Sequence, residues 1–83
     1  RGPGGPAFSR SPLLAWMLEV TINGEIHSFA NGTTIGQMLE TLELPGEGVA
    51  VEVNRSIVPK RSHGEALLGD GDEVEIVTFV GGG

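Results

Sequence analysis

Two short runs of alternating apolar and polar residues, joined by Asn23-Gly24, constrain the fold more than any other feature of the chain. From Leu18 to Ile22 every second residue is apolar, which is typical of a strand with one buried face. Asn-Gly between two such runs favours a two-residue hairpin turn, because both turn positions need a positive φ. The sequence therefore predicts an antiparallel pair of strands at residues 17–22 and 25–30.

A short amphipathic helix is predicted after the hairpin. Thr34 and Gln37 have the spacing of a capping box, in which each side chain binds the backbone N–H of the other residue. The following apolar residues share one helix face: Ile35, Met38, Leu39 and Leu42. Pro45-Gly46 indicates the end of a helix over about residues 35–43. Because so short a helix is unstable alone, its apolar face is expected to pack on the sheet.

The second half of the chain predicts further strands and one helical turn. A valine stands at every second position over residues 49–53, which indicates a third strand. Residues 57–58 predict a short strand, residues 66–68 a helical turn that closes the core, and residues 73–80 the last strand. The predicted fold class is α+β, a roll with one main helix packed on one face of a mixed four- to five-stranded sheet.

Three regions follow from this pattern. Residues 1–16 are rich in glycine and proline, contain no acidic residue and show no amphipathic period. They are interpreted as a disordered leader, a cloning remnant or upstream translated sequence, with Met17 as the natural start. Residues 17–80 are the predicted folded domain, and residues 81–83 a flexible glycine tail.

Charge and composition limit the function classes. The net charge is −6, with 11 acidic and 5 basic residues, which disfavours binding to nucleic acid and favours a basic protein partner. The chain has no cysteine, so disulfides and thiolate sites are excluded, as fits a reducing compartment such as the cytoplasm. No apolar run approaches the ~20 residues of a membrane-spanning helix.

Conventional catalytic and metal-binding motifs are not found. His27 and His63 lack the close spacing of a metal-binding pair and are interpreted as packed or surface residues. The acidic stretch 70–75 lacks the ligand spacing of an EF-hand and is interpreted as a solvated turn and strand face. No metal site and no bound cofactor are predicted.

The last three residues, Gly81, Gly82 and Gly83, are the strongest candidate for chemistry. Glycine lacks a Cβ, so such a tail can enter a narrow channel in any backbone conformation. Three extended residues reach roughly 10 Å beyond the fold. The carboxylate of Gly83 is an unhindered acyl group that an adenylating enzyme could activate. The alternative is a frayed chain end without function.

The last predicted strand suggests where a partner would bind. If Val74 and Ile76 point to the core, Val77 and Phe79 lie on the outer face close to the tail. Exposed apolar residues bordered by acids are typical of a protein-binding surface. We therefore expect docking through this end of the strand, with Val80 and Gly81 included. The alternative is that the strand twists and covers these side chains locally.

Three stretches of the sequence carry a resemblance to a known family. They are Val51 to Lys60, Leu68 to Val77 and Val80 to Gly83. Together they resemble the ThiS-type sulfur-carrier proteins of bacterial thiamine biosynthesis, and the resemblance covers residues 17–83. Residues 1–16 do not follow the family pattern, and Lys60 stands where the family usually has arginine.

The resemblance implies a ubiquitin-like β-grasp fold and a carrier that is not itself an enzyme. A ThiF-type activating enzyme, using ATP and magnesium, would adenylate the Gly83 carboxylate. A sulfur donor such as a cysteine desulfurase would convert the adenylate to a thiocarboxylate, and a ThiG-type thiazole synthase would take the sulfur. Gly82 and Gly83 would thread into the partner active sites. Apart from the resemblance, we expect a cytoplasmic location, and we treat the isolated protein as a monomer by default.

Three alternatives remain open at the level of sequence. The small subunit of molybdopterin synthase uses the same terminal glycine chemistry with a different acceptor. A ubiquitin-like modifier would instead form isopeptide bonds to lysines. A β-grasp binding module of a larger enzyme is disfavoured by the acidic charge and by the Gly-Gly end.

Overall fold

The computed structural model describes residues 16–45 and 47–79 and consists of one mixed sheet with one α-helix. The elements, in chain order, are β1 Met17–Ile22, β2 Glu25–Ala30, α1 Ile35–Thr41, β3 Val49–Val53, β4 Ser56–Val58, a 3-10 helix Lys60–Ser62, and β5 Glu73–Thr78. The two hairpin strands begin and end where the sequence predicted them, and β3 and β4 match their predicted positions to within a residue.

The sheet has five strands in the order β2-β1-β5-β3-β4. β1 pairs antiparallel with β2 and parallel with β5, and β3 pairs antiparallel with both β4 and β5. The last strand of the chain therefore lies in the centre of the sheet. This arrangement, with a single α-helix against one face, is the predicted α+β roll of the β-grasp type.

The hydrophobic core lies between α1 and one face of the sheet. Apolar side chains from β1, β2, α1, β3 and β5 meet there, and five are almost fully buried: Val20, Ile35, Met38, Val51 and Val74. The alternation of β1 and β5 thus places one face of each strand in the core and the other in solvent. Leu68, from the segment before β5, is also buried in this core.

Both ends of α1 are determined by local hydrogen bonds. At the start, the Gln37 backbone N–H donates to Thr34 Oγ1 at 3.1 Å and the Thr34 N–H donates to Gln37 Oε1 at 2.9 Å, which confirms the predicted capping box. The helix ends at Thr41, two residues before the predicted end. Beyond it, the Leu44 N–H donates to the Leu39 carbonyl at 2.9 Å, in a Schellman motif.

Glu43 occupies the position of that motif where glycine is preferred. Its φ is 61°, in the left-handed region that costs a residue with a Cβ about 1–2 kcal/mol. Its carboxylate also lies beside the negative end of the helix dipole, and the last turn of α1 contains no basic residue. The end of α1 is therefore formed despite an unfavourable residue.

Asn23 joins the first hairpin to β5. It adopts φ 49° and Gly24 adopts φ 89°, as the predicted turn requires. Its side chain donates from Nδ2 to the Ile76 carbonyl at 3.0 Å and accepts at Oδ1 from the Ile76 N–H at 2.8 Å. The side chain thereby continues the β1–β5 ladder by one rung after β1 has ended.

The segment between β4 and β5 differs from the prediction. Residues 66–68 do not form a helical turn, because Leu67 forms an isolated bridge with Thr34 and the Leu68 N–H donates to the Thr33 carbonyl. The helical turn lies earlier, at Lys60–Ser62, and is of the 3-10 type. These long-range backbone contacts, which no local pattern announces, hold residues 66–68 extended.

Gly36 allows the close approach between α1 and the loop that follows the 3-10 helix. Its N–H donates to the His63 carbonyl at 2.8 Å. A Cβ at this position would lie 3.3 Å from the His63 carbonyl oxygen, which is tighter than ordinary contact. The absence of a side chain therefore lets the loop pack directly on the first turn of α1.

We expect Asn23→Gly to lower the free energy of unfolding by about 1–3 kcal/mol, because two partly buried hydrogen bonds to Ile76 are lost while the backbone conformation is kept. Asn23→Ala should lose about 1–2 kcal/mol more, because alanine is strained at this φ. Urea denaturation of both variants measures these differences. If Asn23→Gly has the same free energy of unfolding as the wild type, the hydrogen bonds to Ile76 contribute nothing to stability.

We expect Glu43→Gly to stabilise the protein by about 1 kcal/mol, because glycine removes the strain at φ 61° and the charge at the helix end. For a domain of this size, the melting temperature should rise by about 4–8 °C. Glu40→Gly, inside α1, is the matched control and should lower the melting temperature, because glycine is unfavourable within a helix. The prediction is wrong if the two variants change stability in the same direction.

Candidate functional site

The two faces of β5 have opposite exposure. Val74 and Ile76 are 1% and 8% exposed in the core, whereas Val77 and Phe79 are 53% and 66% exposed. The exposed pair lies at the C-terminal end of the strand, where the chain leaves the sheet. The expectation that Val77 and Phe79 lie on the outer face is therefore confirmed.

The predicted reactive tail begins immediately beyond this point. Phe79 is the last described residue, and its N–H donates to the Gly48 carbonyl at 2.7 Å. The strand itself ends at Thr78, and not at residue 80 as predicted. The predicted site residues Val80, Gly81, Gly82 and Gly83 lie outside the described residues.

The register of the sheet brings further residues to the exposed end of β5. Val77 is paired with Ala50 of β3, and Glu75 is paired with Glu52. Glu52 is in turn paired with Ile57 of β4, another exposed apolar residue. The outer face therefore carries apolar side chains near the tail and carboxylates beside them. The sequence did not identify Ala50 and Ile57, because only the strand register places them here.

The charges on this face are mainly negative. Glu52, Glu73 and Glu75 line a shallow depression together with Arg55, which closes the β3–β4 turn at φ 73°. Like charges on directly opposed residues of two strands, such as Glu52 and Glu75, are mutually unfavourable. The outer face thus presents an acidic surface next to the apolar end of β5.

Lys60 is engaged on a different part of the surface. Its Nζ forms an ion pair with Glu47. The hydrogen bond from Lys60, and next its positive charge, lowers the pKa of the Glu47 carboxyl. Both side chains are largely exposed, so this pair contributes little to stability. The positive charge of Lys60 is therefore paired locally, with Glu47.

The two histidines have packing roles in the structure. His27 is half-buried, stacks on Phe29 with ring centroids 6.4 Å apart and lies 3.7 Å from a Glu25 carboxylate oxygen. His63 is buried, and its Nε2 lies 3.0 Å from the Val58 carbonyl oxygen, to which it donates. Both positions agree with the interpretation of these side chains as packed residues.

The carboxylates of the acidic turn before β5 accept hydrogen bonds from backbone and side-chain N–H groups. The Asp72 carboxylate accepts from the Gly69 N–H at 2.7 Å and from Asn54 Nδ2 at 3.0 Å. Asp70 Oδ1 accepts from the Glu19 N–H at 2.8 Å. Within the described part of the chain, no group of three or more His, Cys, Asp or Glu side chains could hold a metal ion.

Across positions 16–45 and 47–79, no helix is long and apolar enough to cross a membrane.

Several known proteins are similar to this chain in sequence and in fold. A thiazole synthase from Paramagnetospirillum magneticum is 42% identical over 66 residues, which is 80% of this chain but only 20% of that protein. A second thiazole synthase is matched over the same fraction of its length, so the chain spans a fifth of these relatives. The sulfur carrier protein ThiS of Bacillus subtilis is 40% identical over 63 residues, covering 75% of this chain and 96% of that protein.

A solved structure extends the similarity to three dimensions. The crystal structure of the thiamine biosynthesis protein ThiS from Geobacter metallireducens superimposes with a TM-score of 0.68 at 29% identity, and covers 80% of this chain and all of that one. The model of the ThiS family matches residues 17–83, from the first strand to the last glycine. Because this match covers most of the sequence, the chain belongs to the ThiS family.

Proposed function

We propose that Gly83 is the sulfur-bearing residue of this protein and that its carboxylate is converted to a thiocarboxylate. As a member of the ThiS family, the chain is a sulfur carrier for thiamine biosynthesis, on which enzymes act and which is not an enzyme itself. The observation that carries the proposal is the family match, which extends through Gly83 and includes the three terminal glycines.

The proposed reaction has two steps. The Gly83 carboxylate attacks the α-phosphate of ATP, which releases pyrophosphate and forms an acyl adenylate. Hydrosulfide, which a thiol reductant releases from the persulfide of the sulfur donor, then displaces AMP, so that its sulfur replaces one carboxylate oxygen. Gly82 and Gly83 carry no side chains, so they fit a narrow channel that leads to the activating enzyme's active site. ATP and magnesium are bound by this ThiF-type enzyme in our proposal.

In this proposal, contacts between the folded domain and the partner enzyme hold the tail in the partner's active site. Val77 and Phe79 are exposed next to the point where the tail begins, and we propose that they dock on the partner. Val80 and Gly81 would continue this contact toward the active site. A few residues provide most of the binding energy in a protein interface, and aromatic side chains are enriched at its core.

A ThiG-type thiazole synthase is the proposed acceptor of the sulfur. Support comes from a protein called thiazole synthase in Paramagnetospirillum magneticum, which contains a segment 42% identical to this chain. Two such activities joined in one polypeptide are expected to act in sequence. This observation favours the thiamine branch over molybdopterin synthesis. A cysteine desulfurase is the proposed source of the sulfur.

We propose that the folded domain comprises residues 17–80 and that residues 81–83 are the reactive tail. The family match begins at residue 17, at the first residue of β1.

The absence of cysteine from the sequence is compatible with a reducing compartment, and we propose that the carrier works in the cytoplasm.

Incubation with the cognate adenylating enzyme, ATP, magnesium and a sulfur source should replace one oxygen of the C-terminal carboxylate by sulfur. Intact mass spectrometry measures this exchange. A variant that lacks Gly83 should show no exchange, because the acyl group is then displaced from its place in the channel. An unchanged wild-type mass in the presence of active enzyme would overturn the proposal, and covalent conjugates to lysine would favour the modifier alternative.

Phe79→Ala should raise the KM of adenylation at least about tenfold, because an exposed aromatic contact with the partner is lost. Ile26→Ala is the matched control. Ile26 is 71% exposed and lies on the same outer face, but on the edge strand β2 away from the tail. This control should retain the wild-type KM, and equal KM values for Phe79→Ala and Ile26→Ala would contradict docking through β5.

A further inference from the structure

The backbone N–H and C=O groups of successive β5 residues point alternately toward its two neighbouring strands, β3 and β1. The Phe79 N–H donates to the Gly48 carbonyl and the Glu73 carbonyl accepts from the Asn54 N–H, each at 2.7 Å. Odd-numbered residues of β5 therefore direct their N–H and C=O groups toward β3, since these groups alternate along a strand. Even-numbered residues, Thr78 among them, direct theirs toward β1.

On the β1 side, the ladder ends before it reaches Thr78. The Asn23 N–H donates to the Val74 carbonyl at 2.9 Å, and the Asn23 side chain satisfies both backbone groups of Ile76. β1 has already ended at Ile22, and the chain turns away into β2. Within residues 16–45 and 47–79, the N–H and C=O of Thr78 therefore have no backbone partner.

An open groove runs beside this unpaired edge on the helix side of the sheet. It has a volume of about 460 Å³ and lies between the end of α1 and the ends of β1 and β5. Its apolar lining comes from Ile22, Leu42, Leu44 and Ile76, and Thr78 is at its margin. The groove has room for side chains of another chain placed along the edge.

The position of the edge relative to the tail identifies what would occupy it. Gly83 lies four residues beyond Phe79, so an extended tail reaches at most ~14 Å. An enzyme that acts on Gly83 must therefore approach the root of the tail, where Thr78 lies. The other free edges of the sheet belong to β2 and β4, which are its two outermost strands.

We propose that an extended segment of the adenylating enzyme pairs with the free edge of β5 at Thr78, in the place that β1 leaves open. The segment binds the Thr78 N–H and C=O, and its alternate side chains enter the groove beside Leu42 and Leu44. This is strand addition to a sheet edge, in which the main chain supplies affinity and the groove supplies selectivity. The inference rests on the proposed function of Gly83.

Amide hydrogen exchange with the wild-type protein tests the pairing directly. The Thr78 amide should exchange rapidly in the free carrier and at least about tenfold more slowly in the complex with the adenylating enzyme. The Ser28 amide, which faces away from β1 on the edge strand β2, should exchange at the same rate in both states. Equal rates for Thr78 with and without the enzyme would overturn the proposal.

A second test removes the Thr78 N–H. Thr78→Pro loses no bond to β3, because that N–H faces the open side, where proline is tolerated in a strand. Its KM for adenylation should be about tenfold higher than that of Thr78→Ala, which keeps the N–H. Ser28→Pro removes an equivalent unpaired N–H far from the tail and should leave KM unchanged.

The outcomes distinguish strand addition from the carrier function itself. Thermal denaturation establishes that the proline variants are folded before their kinetics are compared. If the wild-type protein forms a thiocarboxylate but Thr78→Pro and Thr78→Ala have the same KM, strand addition is wrong and the proposed function stands. If the wild-type protein forms no thiocarboxylate with active enzyme, the proposed function fails first.

Discussion

The pairing of β5 between β1 and β3 is the constraint on which the rest of the structure depends. Among the described residues β5 is the last strand, yet it is central in the sheet, so the sheet is complete only when β1 and β3 have both paired with it. The Asn23 side chain adds the final rung of the parallel ladder at Ile76. Beyond this rung, β5 is held on one side only, and the chain emerges from the centre of the sheet toward the tail.

This placement separates the core residues of β5 from the exposed pair that we propose as a docking contact. Val74 and Ile76 are buried and contribute to the core, whereas Val77 and Phe79 are exposed at the exit of the chain. A tail that leaves from a central strand starts from a fixed position, because the strand is held in the sheet before it. The outer face accepts an unfavourable Glu52–Glu75 juxtaposition beside this exit, which makes this part of the surface acidic.

The elements that sequence patterns predicted well are those determined by neighbouring residues. Asn23-Gly24 and the Thr34–Gln37 capping box act over a few positions, and both have the predicted geometry. The error at residues 66–68 has a different origin, because Leu67 and Leu68 are held extended by backbone contacts with Thr34 and Thr33. Contacts between residues far apart in the chain override local helix preference and leave no local signal.

By itself, the sequence determined the strand alternation, the hairpin, the capped helix, the acidic charge and the glycine end, because each depends on residue type at short spacing. Only the tertiary structure decided that Ala50 and Ile57 join Val77 on one surface, and that Thr78 is left with an unpaired edge beside a groove. The physical reason is that strand register and the point where β1 ends arise from long-range hydrogen bonding. No single segment contains that information.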